Sequence, residues 1–354
     1  MKTVLICPLD WGLGHASRDV VIIKKLLKNE FNVVIGADKD PLSFLKSEFP
    51  ELPFIKIPST KIKYPKGKRM AFKMLFSIPK ILYGIQKEHQ QLKKIVANQN
   101  VNIVISDNRF GLWNKNIYSV FITHQLEIQL PGWLKLMQSI VNKVNYWFIN
   151  KYDTCWIPDL PGENNLAGAL SHPAIMPENF KYIGLLSRFN VQNEFAKKYE
   201  MLAIISGPEP QRSIFEDLLI KEIKKNNIKA LIVRGKPGIK DIYSQNNIDF
   251  INHIETEELI KLIVATPIVI SRSGYSSIMD YIKLKKNVIL VPTPGQTEQE
   301  YLAKRLKEKM WFYSLDQNKF NLEKSLQKYK NFQVPEFDTK NNLLESEVRK
   351  LFKK

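Results

Sequence analysis

Cysteine is almost missing from this chain: only Cys7 and Cys155 occur in 354 residues. Two cysteines build neither a disulfide framework nor a four-cysteine zinc site, so a reducing compartment, the cytoplasm, is expected. Long apolar runs are missing too. No stretch reaches the roughly 18 residues of a membrane span, so no transmembrane helix is predicted. The opening Met1-Lys2-Thr3-Val4-Leu5-Ile6-Cys7 meets Pro8 and Asp10 too soon for a signal peptide and reads as a first strand. Acidic residues are scarce beside basic ones, 35 against 53, which leaves a net charge of +18. That field favours anionic partners: nucleic acid, anionic lipid or phosphorylated small molecules. Neither an RRM signature nor zinc-finger spacing is visible, so nucleic acid is not an expected partner.

The remaining composition, 44% hydrophobic and 25% charged, is that of an ordinary globular protein. Short apolar β-branched runs recur at Thr3–Cys7, Asn32–Ile35, Asn102–Ser106, Ser119–Thr123, Leu202–Ser206, Ala230–Val233, Ile268–Ser271 and Asn287–Val291. They lack strict alternation, as strands buried on both faces of a parallel sheet do. Helical stretches such as Arg18–Lys28, Arg212–Lys225, Thr256–Ile263 and Glu298–Lys309 lie between them. Strand then helix, repeated, means an α/β fold. The rhythm stalls after Tyr182–Leu186, read as a last strand, and restarts at Met201. Hence a first domain over 1–187, a connector over 188–200, a second domain over 201–330 and a tail over 331–354, its helical pattern at Leu343–Phe352 packing back on the first domain.

Arginine is rare, 9 residues against 44 lysines, and six of the nine sit just beyond a predicted strand: Arg18, Arg109, Arg188, Arg212, Arg234 and Arg272. Ligands of open α/β sheets bind outside the carboxyl ends of the strands, and the planar guanidinium suits phosphate. At least two of these arginines are expected on a bound phosphate.

The first glycine loop is Asp10-Trp11-Gly12-Leu13-Gly14-His15-Ala16-Ser17-Arg18. Gly12 and Gly14 permit a tight turn before a helix N-terminus that attracts anions. Ser17 stands where a dinucleotide fingerprint has its third glycine, so NAD is not expected. His15 at the helix start is a candidate general base; the bland alternative is a loop histidine bonded to backbone. In the second half, Ser271-Arg272-Ser273-Gly274-Tyr275-Ser276-Ser277 reads as strand, turn and helix start, a phosphate cradle without a Walker lysine. Asp280 follows as a ribose acceptor, and Gln299-Glu300 offers acceptors for sugar hydroxyls. Ser206-Gly207-Pro208-Glu209-Pro210-Gln211-Arg212 is another polar strand-to-helix loop. Ordinary helix capping is the alternative for each loop.

On these residues the chain resembles the two-domain GT-B glycosyltransferases, particularly family 28, whose bacterial member adds N-acetylglucosamine to the lipid-linked peptidoglycan precursor. The match is most specific at Ser271–Gly274 through Asp280 and at Gln299-Glu300, with Gly12–His15 matching the N-terminal glycine loop. The resemblance implies two Rossmann-like domains facing across a cleft. It implies that Ser273 and Gly274, with Arg272, Tyr275 and Ser276 beside them, hold the donor diphosphate and Asp280 the ribose. Gln299 and Glu300 would hold the donor sugar, Ile254 would meet uracil through its backbone, and Ser206, Gly207 and Arg212 belong to the same donor side. The chain departs from the family in three places: Pro208 and Pro210 remove backbone donors, Asp280 stands where Glu is usual, and Gln299-Glu300 replaces the commoner pairs. Family enzymes of this kind invert configuration and need neither metal nor cofactor, the nucleotide sugar being a substrate. His15 is the first candidate base, Asp107 the second or an orienting group, and His124 the third, while Arg18 and Arg109 complete the acceptor side.

The expected function is therefore transfer of a hexose or N-acetylhexosamine from a UDP-type sugar to a lipid-linked or cell-envelope glycan. A nucleotide-sugar hydrolase of the same fold shares the Gly-x-Gly-His-x-x-Arg pattern of Gly12–Arg18, with His15 activating water. A basic nucleic-acid-binding protein is the non-enzymatic alternative. Two acid-free stretches carry much of the charge. Thr60–Lys87 reads as contact with an anionic membrane or acceptor, peripheral on the inner face. Ile128–Tyr152 reads as a helix whose apolar side is core. Asp38-Lys39-Asp40 has the Asp-x-Asp pattern but no further ligands, so no metal site is expected.

Overall fold

The computed structural model describes residues 1–59, 78–130, 132–189, 195–207, 209–236, 242–337 and 342–354. The described residues of 1–186 and of the tail form one unit, and those of 187–337 form a second.

The first unit is built on β1 (Thr3–Pro8), β2 (Asn32–Ala37), β3 (Phe54–Lys56), β4 (Ile103–Asp107), β5 (Tyr118–Ile122), β6 (Thr154–Ile157) and β7 (Phe180–Tyr182). They form one parallel sheet in the order β3-β2-β1-β4-β5-β6-β7. The chain starts in the middle and winds outward both ways, so the loops after β1 and β4 lie side by side at the carboxyl edge. Pro8 pairs with Asp107 at that edge. Strands β1, β4 and β5 are almost wholly buried, which explains their unbroken apolar runs. Helices α1 (Gly14–Lys28), α2 (Lys39–Glu48), α3 (Ile78–Asn98) and α4 (Gln138–Ile149) complete it.

The second unit holds β8 (Met201–Ile204), β9 (Ala230–Val233), β10 (Ile242–Gln245), β11 (Ile248–Ile251), β12 (Ile268–Ser271) and β13 (Ile289–Leu290). Their order is β10-β11-β9-β8-β12-β13, parallel except for the β10–β11 hairpin. The loops after β8, β12 and β13 are therefore neighbours. Helices α5 (Gln211–Asn226), α6 (Thr256–Ala265), α7 (Tyr275–Lys283), α8 (Thr297–Glu308) and α9 (Leu322–Lys328) pack around this sheet. Phe215, Leu219 and Ile223 of α5 share a core with Ala203, Ile232 and Ile270.

The tail helix α10 (Leu343–Lys350) lies in the first unit. Glu345 ion-pairs with Lys25 of α1 at 2.9 Å, and Phe352 stacks on Phe31 with centroids 4.2 Å apart. One strand is shifted: Tyr182–Leu186 was expected, but pairing runs over Phe180–Tyr182, and the positive φ of Gly184 (79°) turns the chain beyond it. The Asp38 carboxylate lies within ion-pairing distance of Lys39 (3.6 Å) and Lys56 (3.7 Å).

Candidate active site

Gly12 in the loop after β1 has φ +103°, a left-handed value, and an added Cβ would meet nothing within 4 Å. The backbone conformation, not space, calls for glycine there. The loop delivers the chain into α1, which carries His15, Arg18 and Asp19 at i, i+3 and i+4, positions that share one helix face. Asp107, the last residue of β4, is fully buried and stands opposite. His15 Nδ1 lies 2.9 Å from Asp107 Oδ1. Arg18 donates from Nε to Asp107 Oδ2 at 2.6 Å and from Nη2 to Oδ1. Burial alone would raise the Asp107 carboxyl, but Arg18 and His15 hold it well below the usual carboxylate range. Arg18 Nη2 also lies 3.0 Å from Nδ1. In the tautomer whose Nδ1–H donates a hydrogen bond to ionised Asp107, Nε2 of His15 keeps its lone pair. The imidazole is partly exposed, its side chain keeping 17% of its surface. A buried carboxylate behind a reachable histidine is the arrangement of a general base.

The other candidates of this unit are placed differently. His124 is buried, and its Nδ1 accepts from Arg18 Nη1 at 3.0 Å. Its basic nitrogen is thus occupied, and it supports Arg18 instead of serving as a third base. Arg109 is buried as well; it pairs with Glu88 (Nη2–Oε1 2.9 Å) and donates to the carbonyls of Ile57 and Pro58, both at 3.1 Å. It ties α3 and the segment after β3 to β4, a structural clamp in place of the expected acceptor contact.

In the second unit three neighbouring loops converge. Gly274 is the N-cap of α7, half-exposed with extended backbone, and supplies no capping side chain. An added Cβ would meet only Ser277 Oγ, at 4.0 Å. The space beside Gly274 is therefore open, at a helix start of the kind that attracts an anion. Beneath it the side chains are committed to one another. Ser273 donates to the Gln299 carbonyl at 2.9 Å, and Gln299 Oε1 accepts from the Thr293 N–H at 2.9 Å. Glu300 is exposed and accepts from the Gly295 N–H at 2.8 Å.

Arg272 corrects an expectation. Its guanidinium is buried, donates to the carbonyls of Val291, Pro292 and Gln211 at 3.0 to 3.2 Å, and lies 3.9 Å over the Phe215 ring. It knits the loops after β13 and β8 together and turns inward from the expected phosphate position. Arg212 is likewise committed, to Glu209, which also accepts from Ser213 Oγ at 2.9 Å. The loop bearing exposed Ser206 and left-handed Gly207 (φ +106°) thus has a carboxylate at the start of α5. Ile254 is half-buried in the segment between β11 and α6.

Asp280, on α7, accepts from Ser187 Oγ at 2.7 Å, and burial pushes its carboxyl up to about 6 despite the neighbouring Arg188. Arg188 Nη1 donates to Thr256 Oγ1 at 2.6 Å. Sequence reasoning gave Ser187 no role; nothing in the local pattern links it to a residue 93 positions away. Asp19 also went unnoticed, although its place four residues after His15 is a usable signal.

Comparison with known proteins bears on both halves. Residues 221–354 match the glycosyltransferase family 28 C-terminal domain. The UDP-N-acetylglucosamine--N-acetylmuramyl-(pentapeptide) pyrophosphoryl-undecaprenol N-acetylglucosamine transferase of Clostridium botulinum is 24% identical over 290 residues, covering 79% of this chain and 75% of that enzyme. The crystal structure of Acinetobacter baumannii MurG superposes with a TM-score of 0.51 at 13% identity, covering all of both chains. The chain is a glycosyltransferase of the GT-B fold, with a family 28 C-terminal domain over residues 221–354. The fold extends to plant members of the architecture: Arabidopsis thaliana UGT89C1 gives a TM-score of 0.62 at 11% identity, over 99% of this chain and 94% of that one. In this glycosyltransferase the family match covers the loops after β12 and β13, whereas the His15–Asp107 pair lies outside the matched residues.

Among the described residues, no helix is long and apolar enough to cross a membrane. Two surfaces of the first unit are nonetheless apolar. On α4 and the turn before it, Leu136, Ile140, Val144 and Trp147 are exposed at 50% or more, which corrects the expectation that this side is core. Its opposite side, with Phe148 and Ile149, is the buried one. At the start of α3, Ile78, Leu82 and Tyr83 are exposed. Exposed Lys80, Lys87, Lys135 and Lys143 lie among these residues along the chain. The two helices flank Trp113, which meets His89 of α3 and Lys151 just after α4. The remainder of the Thr60–Lys87 stretch, 60–77, lies outside the described residues.

Proposed function

We propose that this glycosyltransferase moves a hexose or N-acetylhexosamine from a UDP-linked sugar to a lipid-linked or cell-envelope glycan, with inversion and without a metal. The observation that carries the reading is the 2.9 Å contact between Nδ1 of the partly exposed His15 imidazole and buried Asp107, with Nε2 as base. In the reaction Nε2 takes the proton of the acceptor hydroxyl. The acceptor oxygen bonds to the anomeric carbon, the bond from that carbon to the diphosphate breaks, and UDP departs. The diphosphate rests on the open start of α7 at Gly274, where helix amides and dipole offset its charge. Asp280 accepts from the ribose, and the exposed Glu300 from a sugar hydroxyl.

The acceptor assignment draws on the printed activity of the Clostridium botulinum relative and on the basic, apolar surface of α3 and α4. Apolar side chains beside lysines suit the headgroup boundary of an anionic bilayer, where the protein would lie peripherally on the cytoplasmic face.

A thermal-shift panel of nucleotides and nucleotide sugars, followed by UDP-release assays with and without acceptor, tests the proposal. Stabilisation by a UDP-sugar and acceptor-dependent release support it. Rapid release without acceptor would establish the hydrolase reading, with His15 activating water. Indifference to every nucleotide, together with salt-sensitive duplex binding, would transfer the chain to the nucleic-acid binders.

A further inference from the structure

Asp19 lies four residues beyond His15 on α1 and is wholly buried. Neither of its carboxyl oxygens meets a hydrogen-bond donor among the described residues. The group beside it is the Asp107 carboxylate, already held by Arg18 and His15. Two neighbouring buried carboxylates that share one guanidinium's charge are not both tolerated as anions. The one with donors keeps its charge, and that is Asp107.

We propose that Asp19 is a positioning residue of the transfer site: it carries a proton, donates it in a hydrogen bond to Asp107, and so fixes the carboxylate that orients His15. The arrangement balances one cation, Arg18, against one anion, Asp107. It also explains a buried polar group that is otherwise without a donor, a situation rare in native interiors. Burial and the charge of Asp107 both favour the protonated form, Arg18 opposing them. The charged and titratable groups facing it are Arg18 on its own helix, Asp107 on β4 and the Cys7 thiol on β1, with His15 and His124 one step further, bonded to Arg18. As pH rises far enough to ionise Asp19, the hydrogen bond is lost and a second negative charge appears behind His15. Activity therefore falls on the alkaline side through Asp19.

The kinetic arm rests on the proposed transfer reaction; the spectroscopic arm does not. Infrared difference spectra of the ligand-free protein, wild type against Asp19→Asn, are expected to show a protonated-carboxyl band at neutral pH that the variant lacks. No such band means Asp19 is ionised, and the proposal is wrong. In turnover, Asp19→Leu is expected to lower kcat by up to ~10²-fold with KM unchanged, the scale of a slightly misplaced catalytic group. Asp19→Asn, whose amide still donates to Asp107, recovers at least about tenfold of that loss and lacks the alkaline decline. An Asp19→Leu enzyme as active as wild type, or an Asp19→Asn enzyme with an unaltered alkaline limb, overturns the assignment. Should the leucine variant fail to fold, the infrared comparison and the Asp19→Asn profile still decide. A band present in a protein that turns over no sugar donor leaves the carboxyl pair intact and refutes only the transfer reading.

Discussion

Ser187 Oγ donates to Asp280 Oδ1 at 2.7 Å, and Ser187 is the residue at which the second unit begins. The contact fastens the start of that unit to the helix whose first turn is the proposed phosphate seat. Burial raises the Asp280 carboxyl to about 6, and the hydrogen bond from Ser187 works against that rise.

A raised carboxyl in the folded state has a definite sign. The folded protein holds the Asp280 proton more tightly than the unfolded chain, whose value is about 3.9. The associated stability is present at low pH and is lost as pH rises through about 6. Asp280→Asn, which still accepts from Ser187, should therefore raise Tm relative to wild type more at pH 7.5 than at pH 5. A pH-independent difference in calorimetry would contradict this. The same variant should weaken UDP binding at pH 7.5, because an amide oxygen accepts less strongly than a carboxylate.

Replacing His15 by alanine is expected to leave UDP binding and Tm unchanged and to reduce turnover by ~10²–10⁴, the usual scale for a lost general base. Asp107→Asn should reduce turnover as well, but at a different cost. It leaves Arg18 buried without its carboxylate, which destabilises by about 3–5 kcal/mol. Denaturant titration beside steady-state kinetics separates the two variants; equal stability loss in both would argue against the ion pair.

Gly274→Val offers a clean steric test. Since an added Cβ would meet only Ser277 Oγ at 4.0 Å, the fold should accept the side chain. UDP should not, because valine occupies the space over the first turn of α7. Isothermal titration is expected to show unchanged folding with UDP binding abolished. Full affinity would place the diphosphate elsewhere.

The exposed apolar face of α4 should bind anionic vesicles. Co-sedimentation with phosphatidylglycerol vesicles is expected to fall for the double variant Ile140→Ser/Trp147→Ser, with little change in turnover of a water-soluble acceptor analogue. Binding should also weaken as salt is raised, since exposed lysines supply part of it. Unchanged sedimentation of the variant would remove this face from the proposal.

Much of the architecture is legible along the chain, because strands buried on both faces must be continuous apolar runs. Ala230–Val233 and Ile268–Ser271 coincide with observed strands. Helix starts were legible for the same local reasons, as were the glycine positions at Gly12 and Gly274. Short or exposed strands were not: β3 has three residues, and β10 is exposed throughout, so neither leaves a hydrophobic signature.

What the amino-acid sequence determined by itself is the set of elements and the residue types at their carboxyl ends: a histidine after one glycine loop and a Ser-Gly helix start after another. Only the tertiary structure decided which way those side chains point and what they meet. Six strand-end arginines look alike in one dimension, yet Arg18 grips Asp107, Arg109 clamps Glu88 and Arg272 lies inside its loops. The partner of His15 is 92 residues distant and is brought near by the pairing of β1 with β4. Local composition is set by burial, which neighbouring residues share, whereas the charge and orientation of a site residue depend on groups that only the sheet order brings together.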